Sequence, residues 1–437
     1  MTVYYSIRPP VAAGLGQINP QWLNLQLLLD VADLVKPLSA GLLPEKRSGY
    51  ASDVFVLFQA SIELGQQSPE HMAEWLNNAC KEKGYSFHSF HTKVFSNGKE
   101  RRYFPDQSAL SRHQADVATA GKTEEFWNIV NFAHLLLLYK NELVKNNLKM
   151  IADVHDEPCK KDKNDPYCFG QKEGKTVHKT LVFSVISGKL HQVIAMYKLK
   201  KGMKRLPLFE EVMNRLQANG FTVTYALVDR EFYRKDLFQA FIRWKVTVIT
   251  PGRKCTQTER LMEDYLLGKS ERFGRGSMSI PFYCTKGNQR FEFDLVLEAK
   301  RKYRLEKVKR MFNINKLSMA NAKLRIFPLI VLRAGIRGIR KIKGNESYIR
   351  LLYRQRWFIE IAFREMNRLG ISSHLRGRDS RLGILGAKAL IYNIWQVQRL
   401  LAEKEDPLAE PLELIEFLGK SFSRRFYSYM SPVGVNP

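Results

Sequence analysis

The succession of apolar patterns between residues 148 and 250 limits the fold more than any other stretch. "LKMIADVHD" (148–156) is strand-like, and "KTVHKTLVFSVISGKLHQVIAMYKL" (175–199) is a hairpin turned at Ser187-Gly188. "LPLFEEVMNRLQANG" (206–220) carries helical spacing and stops at Gly220. A strand over "FTVTYALVD" (221–229), a helix over "REFYRKDLFQAFIRW" (230–244) and a strand over "KVTVIT" (245–250) follow, and Pro251-Gly252 breaks the last of them. The order β-β-β-α-β-α-β predicts a mixed sheet of the α/β class.

The flanking stretches differ in character. Residues 1–145 read as helical, with apolar spacing over 18–35, 68–84, 106–120 and 123–146 and a basic, turn-rich loop over 97–106. Residues 252–345 read as a basic, strand-rich insertion, with strands over 279–284, 290–299 and 325–332 and cationic runs over 301–310 and 333–343. Helical patterns return over 346–404, and 405–437 is a basic, aromatic tail. The predicted organisation is therefore an N-terminal helical domain (1–145) able to bind DNA, a core in two parts (146–251 and 346–404), the insertion between them, and the tail.

Charge narrows the function. Lys and Arg number 70 against 43 acidic residues, a net +27. Such an excess points to a polyanionic partner, most simply nucleic acid. The longest apolar candidate for a membrane span, "FAHLLLLY" (132–139), is too short. "MTVYYSIRPP" lacks the basic-then-apolar pattern of a signal peptide, which predicts a cytoplasmic protein, or a nucleoid-associated one in a prokaryotic cell. The five cysteines (80, 159, 168, 255, 284) form no C-x-x-C pair. His155, Cys159 and Cys168 fit no familiar zinc spacing, so the cysteines read as ordinary reduced thiols.

Two predicted strands finish on aspartate, at Asp153 and Asp229. In an α/β sheet, sites form at the carboxyl ends of strands. A third carboxylate lies in "YRQRWFIEIAFREMN" (353–367), where helical spacing puts Tyr353, Arg356, Glu360, Arg364 and Asn367 on one face. Leu352, Ile359, Phe363 and Met366 form a second, apolar stripe. Three carboxylates in one cleft repel one another unless a cation lies between them. Oxygen-only ligands select Mg²⁺ or Mn²⁺, and two such ions suit attack on a phosphodiester. Each acid also has a plainer reading: Asp229 caps the following helix, Glu360 pairs with Arg356 or Arg364, and Asp156 competes with Asp153.

These motifs resemble those of the DDE transposases of prokaryotic insertion sequences, with their Y-x2-R-x3-E-x6-K signature. Tyr353, Arg356 and Glu360 match it, within "RWFIE" (356–360). "LVDREF" (227–232) and "IADVHDEP" (151–158) resemble the two aspartate strands, and the second favours Asp153 over Asp156. The last signature position departs: Asn367 stands where the family has lysine, with Arg364 and Arg368 near enough to substitute. The resemblance implies an RNase H-like core, and Asp153, Asp229 and Glu360 as catalytic ligands of two Mg²⁺ or Mn²⁺ ions. It also implies DNA contacts from Tyr353, Arg356, Arg364, Asn367 and Arg368. The implied reaction is cleavage at transposon ends followed by 3′-OH strand transfer into target double-stranded DNA, by a homodimer. The competing readings are a nuclease of the same fold without strand transfer, and a DNA-binding protein with a decayed site. Trp357 reads as packing between helix and sheet, with base stacking as its alternative; Asn393 and Trp395 read as core, and His155 as surface.

Overall fold

A computed structural model describes residues 112, 115, 117, 119, 121–159, 165–170, 176–252, 256–269, 279–286, 289–299, 304–334, 345–368 and 378–405. The helices expected before residue 112, the basic loop over 97–106, most of the cationic run over 333–343 and the tail lie outside these residues. The chain divides into two compact units. One comprises Val144–His191 and Met196–Phe363, the other Met1–Leu143, Gln192–Ala195 and Arg364–Pro437.

The first unit is built on a sheet whose core follows the predicted order. β1 (Asn147–Cys159) pairs antiparallel with β3 (Thr176–Ser187) and parallel with β5 (Thr222–Val228), which runs parallel to β6 (Thr247–Pro251). β4 (Leu190–Lys198) returns along β3 through a turn where Gly188 adopts φ 59°, a conformation costly for residues with a Cβ. Antiparallel strands followed by parallel ones, with α2 (Leu206–Ala218) and α3 (Lys235–Arg243) as crossovers, give the RNase H-like arrangement. Most of β3 and β5 is buried on both faces, and both strands are predominantly apolar there, interrupted by Ser184 and Thr224. Phe209 on α2 is the hub of the packing, meeting the rings of Phe183, Phe232 and Phe241 at 4.8, 5.5 and 5.7 Å.

Three features depart from expectation. A short strand, β2 (Cys168–Gly170), adds to β3. The helix expected over 230–244 splits into a 3₁₀ turn at Arg230–Phe232 and α3. Phe232 and Tyr233 are both buried, and one continuous helix would turn these neighbours about 100° apart. The stretch after β6 holds α4 (Thr256–Leu267), α5 (Leu305–Asn313) and α6 (Met319–Leu324) beside the expected strands. Those strands, β7 (Ser279–Lys286), β8 (Gln289–Ala299) and β9 (Ile326–Leu332), continue the sheet antiparallel from β6 in the order β6-β9-β8-β7. Two more helices close the unit's chain: α7 (Glu346–Arg354) and the first part of α8 (Trp357–Arg368).

In the second unit, α1 (Thr123–Lys140) packs on α9 (Arg378–Glu405). Gly386 lets them approach: a Cβ there would stand 2.4 Å from Cγ of Trp127. Asn131 Nδ2 donates to the Trp127 and Gly386 carbonyls at 3.0 and 3.3 Å. Asn393, wholly buried, donates to Asn131 and to the Val193 carbonyl and accepts from the Val193 amide. Asn393 and Trp395 thus serve the core, as expected. Among the described residues no helix is long and apolar enough to cross a membrane.

Gly386→Ala should destabilise the protein by about 1–3 kcal/mol through overpacking, outweighing roughly 1 kcal/mol of gained helix propensity. Unchanged urea unfolding would count against this helix contact. His191, buried on β4 and 2.8 Å from Ser184 Oγ, has its pKa pushed down to about 3 by burial. Between that value and 6.5 the unfolded chain takes a proton that the folded chain refuses, so stability falls as pH falls below 6.5. His191→Gln should flatten the acid side of the stability profile by about 1.4 kcal/mol per pH unit, read from urea melts at pH 7, 6 and 5.

Candidate active site

The parallel register of β1 and β5 sets the site. Ala152 pairs with Val228, so the next residues, Asp153 and Asp229, lie side by side: β5 ends just before Asp229, whereas β1, expected to finish on Asp153, continues to Cys159 because Asp153 still pairs with Val182 of β3. Asp153 is 13% exposed and accepts a hydrogen bond from the Val154 amide at 2.9 Å. Burial pushes its carboxyl up to about 6; Arg356 opposes the shift, while Asp229 and Glu360 add to it. Asp153 therefore feels the charge of both other acids. Asp229 occupies the cap position of the 3₁₀ turn, yet its side chain makes no capping hydrogen bond; its backbone carbonyl accepts from Phe232 and from Thr250 Oγ1. Capping is not what this carboxylate does here.

Glu360 does not lie on the single helix expected over 353–367. α7 ends at Arg354 and α8 begins at Trp357. Across the junction the amides of Gln355, Arg356, Phe358 and Ile359 bond three residues back, to Leu352, Tyr353, Gln355 and Arg356. These tighter turns rotate each side chain about 20° further than an α-helix does, so the face predicted from 3.6 periodicity does not persist. Lys149 on β1 donates to Gln355 Oε1 at 2.9 Å and fastens the junction to the strand that carries Asp153. Sequence reasoning passed over Lys149; a lysine inside an otherwise apolar strand was the available signal.

Arg356 stands at that junction. Its Nη1 donates to Asp153 Oδ2 at 2.6 Å and its Nη2 donates to Glu360. The guanidinium lies 6.0 Å from the centre of the Tyr353 ring. Tyr353 is only 7% exposed, and burial, opposed by Arg356, raises its phenol pKa. The tyrosine therefore backs the arginine from within the fold. Asp156 is elsewhere: it is exposed and its Oδ1 lies 3.3 Å from Lys179 Nζ.

The remaining expectations divide. Leu352, Ile359 and Met366 are buried. Trp357 is 41% exposed and Phe358 37%, so Trp357 does not pack between helix and sheet. His155 is buried against Phe363, with ring centres 4.7 Å apart, and is not a surface residue. The segment after 356 turns its apolar stripe inward, which leaves Trp357 outside and brings Phe363 over His155. Arg364 and Arg368 both pair with Glu365 at 3.0 and 3.3 Å, rather than with Glu360; Asn367 is exposed. Cys159 and Cys168 are reduced thiols with sulfurs 3.5 Å apart. A cavity of about 400 Å³, which sequence reasoning also passed over, is lined by Glu298, Arg304, Glu306, Ser347, Arg350 and Arg354. Glu298, at its base, pairs with Arg350 and Arg354, which are spaced i, i+4 on α7.

Chemically, the cluster offers carboxylate oxygens without nitrogen or sulfur donors, the donor set of Mg²⁺ and Mn²⁺. Burial is the main cause of the raised Asp153 pKa, and Arg356 is the cation that opposes it. Among the described residues no three acidic, histidine or cysteine side chains are disposed to hold a metal ion directly.

The sequence profile of the transposase DDE domain family matches residues 151–394, more than half of the chain. No curated protein matches the chain. Among solved structures the chain is similar to a piggyBac transposase synaptic complex with hairpin DNA, with a TM-score of 0.45 and 13% identity over 96% of this chain and 84% of that one. It is also similar to a Drosophila P element transposase strand transfer complex, with a TM-score of 0.23 and 11% identity over 87% of each chain. The family depends on divalent metal ions. The chain belongs to the transposase DDE domain family, and it is a DDE transposase, an enzyme of DNA cleavage and strand transfer.

Proposed function

We propose that Asp153, Asp229 and Glu360 are the catalytic carboxylates and hold two Mg²⁺ or Mn²⁺ ions. The observation that carries this reading is the shared guanidinium: Arg356 ties Asp153 to Glu360 while Asp229 leaves the neighbouring strand beside Asp153. When bound, the ions supply activation of the attacking oxygen and stabilisation of the leaving oxygen. The chain's own residues bind and orient the DNA. Arg356 presents a fork that matches phosphate oxygens, and buried Tyr353 holds that fork in place. Arg364, Asn367 and Arg368 lie exposed on the last turns of α8 and grip the backbone farther along, the two arginines sharing the charge of Glu365. Arg364 and Arg368 thereby replace the signature lysine that Asn367 lacks. Exposed Trp357 stacks on a base displaced beside the cut.

The substrate on this reading is double-stranded DNA, first a transposon end and then a target. Two copies of the chain hold two ends, and the setting is the nucleoid of a prokaryotic cell carrying an insertion sequence. The net +27 supports the polyanionic partner. The domain organisation follows: residues 1–145 bind DNA, 146–251 and 346–404 form the catalytic core, 252–345 add a basic surface, and 405–437 a basic tail.

Asp153→Asn, Asp229→Asn and Glu360→Gln should each lower cleavage of DNA bearing the element's own ends by more than about 100-fold, beyond the cost of losing an outer-shell partner. DNA affinity should change little. Substantial cutting by the Asp153 variant, with loss in Asp156→Asn instead, would move the first ligand. EDTA should abolish cleavage and Mg²⁺ restore it. Joining of a labelled end to a plasmid separates strand transfer from hydrolysis alone. DNA affinity should also fall steeply with salt, and Arg364→Ala or Arg368→Ala should each reduce the log–log slope by about 1. A slope identical to the wild-type one would remove that arginine from the interface.

A further inference from the structure

The carboxylates of the site are already occupied, by a side chain of the protein itself. Arg356 takes one oxygen of Asp153 at 2.6 Å and one of Glu360, and both Arg356 and Asp153 are 13% exposed. An arginine cannot shed its proton to make room. A guanidinium and a divalent cation bound to the same oxygens would repel each other across a few ångströms of poorly screened space. The arginine and a metal ion therefore compete for the same acids. Arg356 also keeps an unspent donor, since its Nε–H is buried without a hydrogen-bond partner. The Nε and Nη2 edge of a guanidinium is the pair of donors that fits two oxygens of a phosphate.

We infer that Arg356 is a positioning residue that guards the carboxylate cluster until a DNA phosphate draws its guanidinium away, so that metal loading is coupled to DNA binding. This rests on the reading of Asp153, Asp229 and Glu360 as the metal ligands. Without DNA the arginine satisfies the acids and keeps metal affinity low. With DNA the fork exchanges two carboxylates for phosphate oxygens and the cluster is left to the ions. By linkage, metal must then raise the affinity for DNA by the same factor.

The test is Mn²⁺ affinity of the full-length protein without DNA, read from the electron paramagnetic resonance signal of free Mn²⁺. Arg356→Gln should bind Mn²⁺ at least about 5-fold more tightly than wild type, the lower end of ordinary coupling between sites. Arg356→Lys, which keeps a charge but cannot bridge two carboxylates, should lie between them and serves if the glutamine variant does not fold. The reciprocal readout is fluorescence anisotropy of a labelled duplex at fixed ionic strength. Mn²⁺ should tighten DNA binding more for wild type than for the variant, whatever the variant's basal affinity. Unchanged or weaker Mn²⁺ binding in the folded Arg356 variants, while Asp153→Asn loses it, would overturn the guarding role and leave the ligand assignment standing. Mn²⁺ binding undiminished in Asp153→Asn would overturn the ligand assignment and the guarding role together.

Discussion

The parallel pairing of β1 with β5 is the constraint on which the site depends. Backbone hydrogen bonds fix Ala152 opposite Val228, and nothing in that ladder responds to the charge of the residues that come next. The ladder therefore delivers Asp153, within β1, and Asp229, just past the end of β5, to adjacent positions, and the repulsion has to be met by something else. In the isolated chain it is met by Arg356. The cation that the acids meet in this structure is the Arg356 guanidinium, shared between Asp153 and Glu360.

Placing that arginine requires an unusual piece of backbone. Had α7 and α8 been one helix, Arg356 and Glu360 would still be neighbours, with Tyr353 on the same face. Tightening to bonds three residues back buries Tyr353 while keeping Arg356 beside Glu360. Lys149 holds the tightened segment from β1 through Gln355, so the strand that carries the first aspartate also anchors the junction that carries its counter-ion. The site is thus referenced to one strand rather than to independent loops, which limits how far its parts can drift apart.

The stretch between β6 and α7 enlarges the sheet beyond β6. β9, β8 and β7 extend the sheet from β6, using the edge that β6 would otherwise expose. Its helices and basic residues ride on that extension. Glu298, at the end of β8, draws in Arg350 and Arg354 of α7 and so links the added strands to the helix that leads into the active site.

The alternation of strand and helix from 148 to 250 was legible because each segment carries its own apolar period, and a period is a local property. Asp153, Asp229 and Glu360 could be singled out because an aspartate closes each of two apolar runs and the glutamate lies in a motif with fixed spacing, although β1 runs on past Asp153 to Cys159. The split at Arg356 was not legible: "YRQRWFIE" satisfies a continuous helix as well as a tightened one, and only the competition of Tyr353 and Ile359 for the core chooses between them. Burial of His155 and exposure of Trp357 were decided the same way, by which side of α8 meets the sheet. The sequence by itself determined which elements form, in what order, and which side chains can bear a charge. Tertiary structure alone decided which charges meet and which cation answers them, because those contacts join residues some two hundred positions apart along the chain and depend on strand register and helix rotation, which no local pattern encodes.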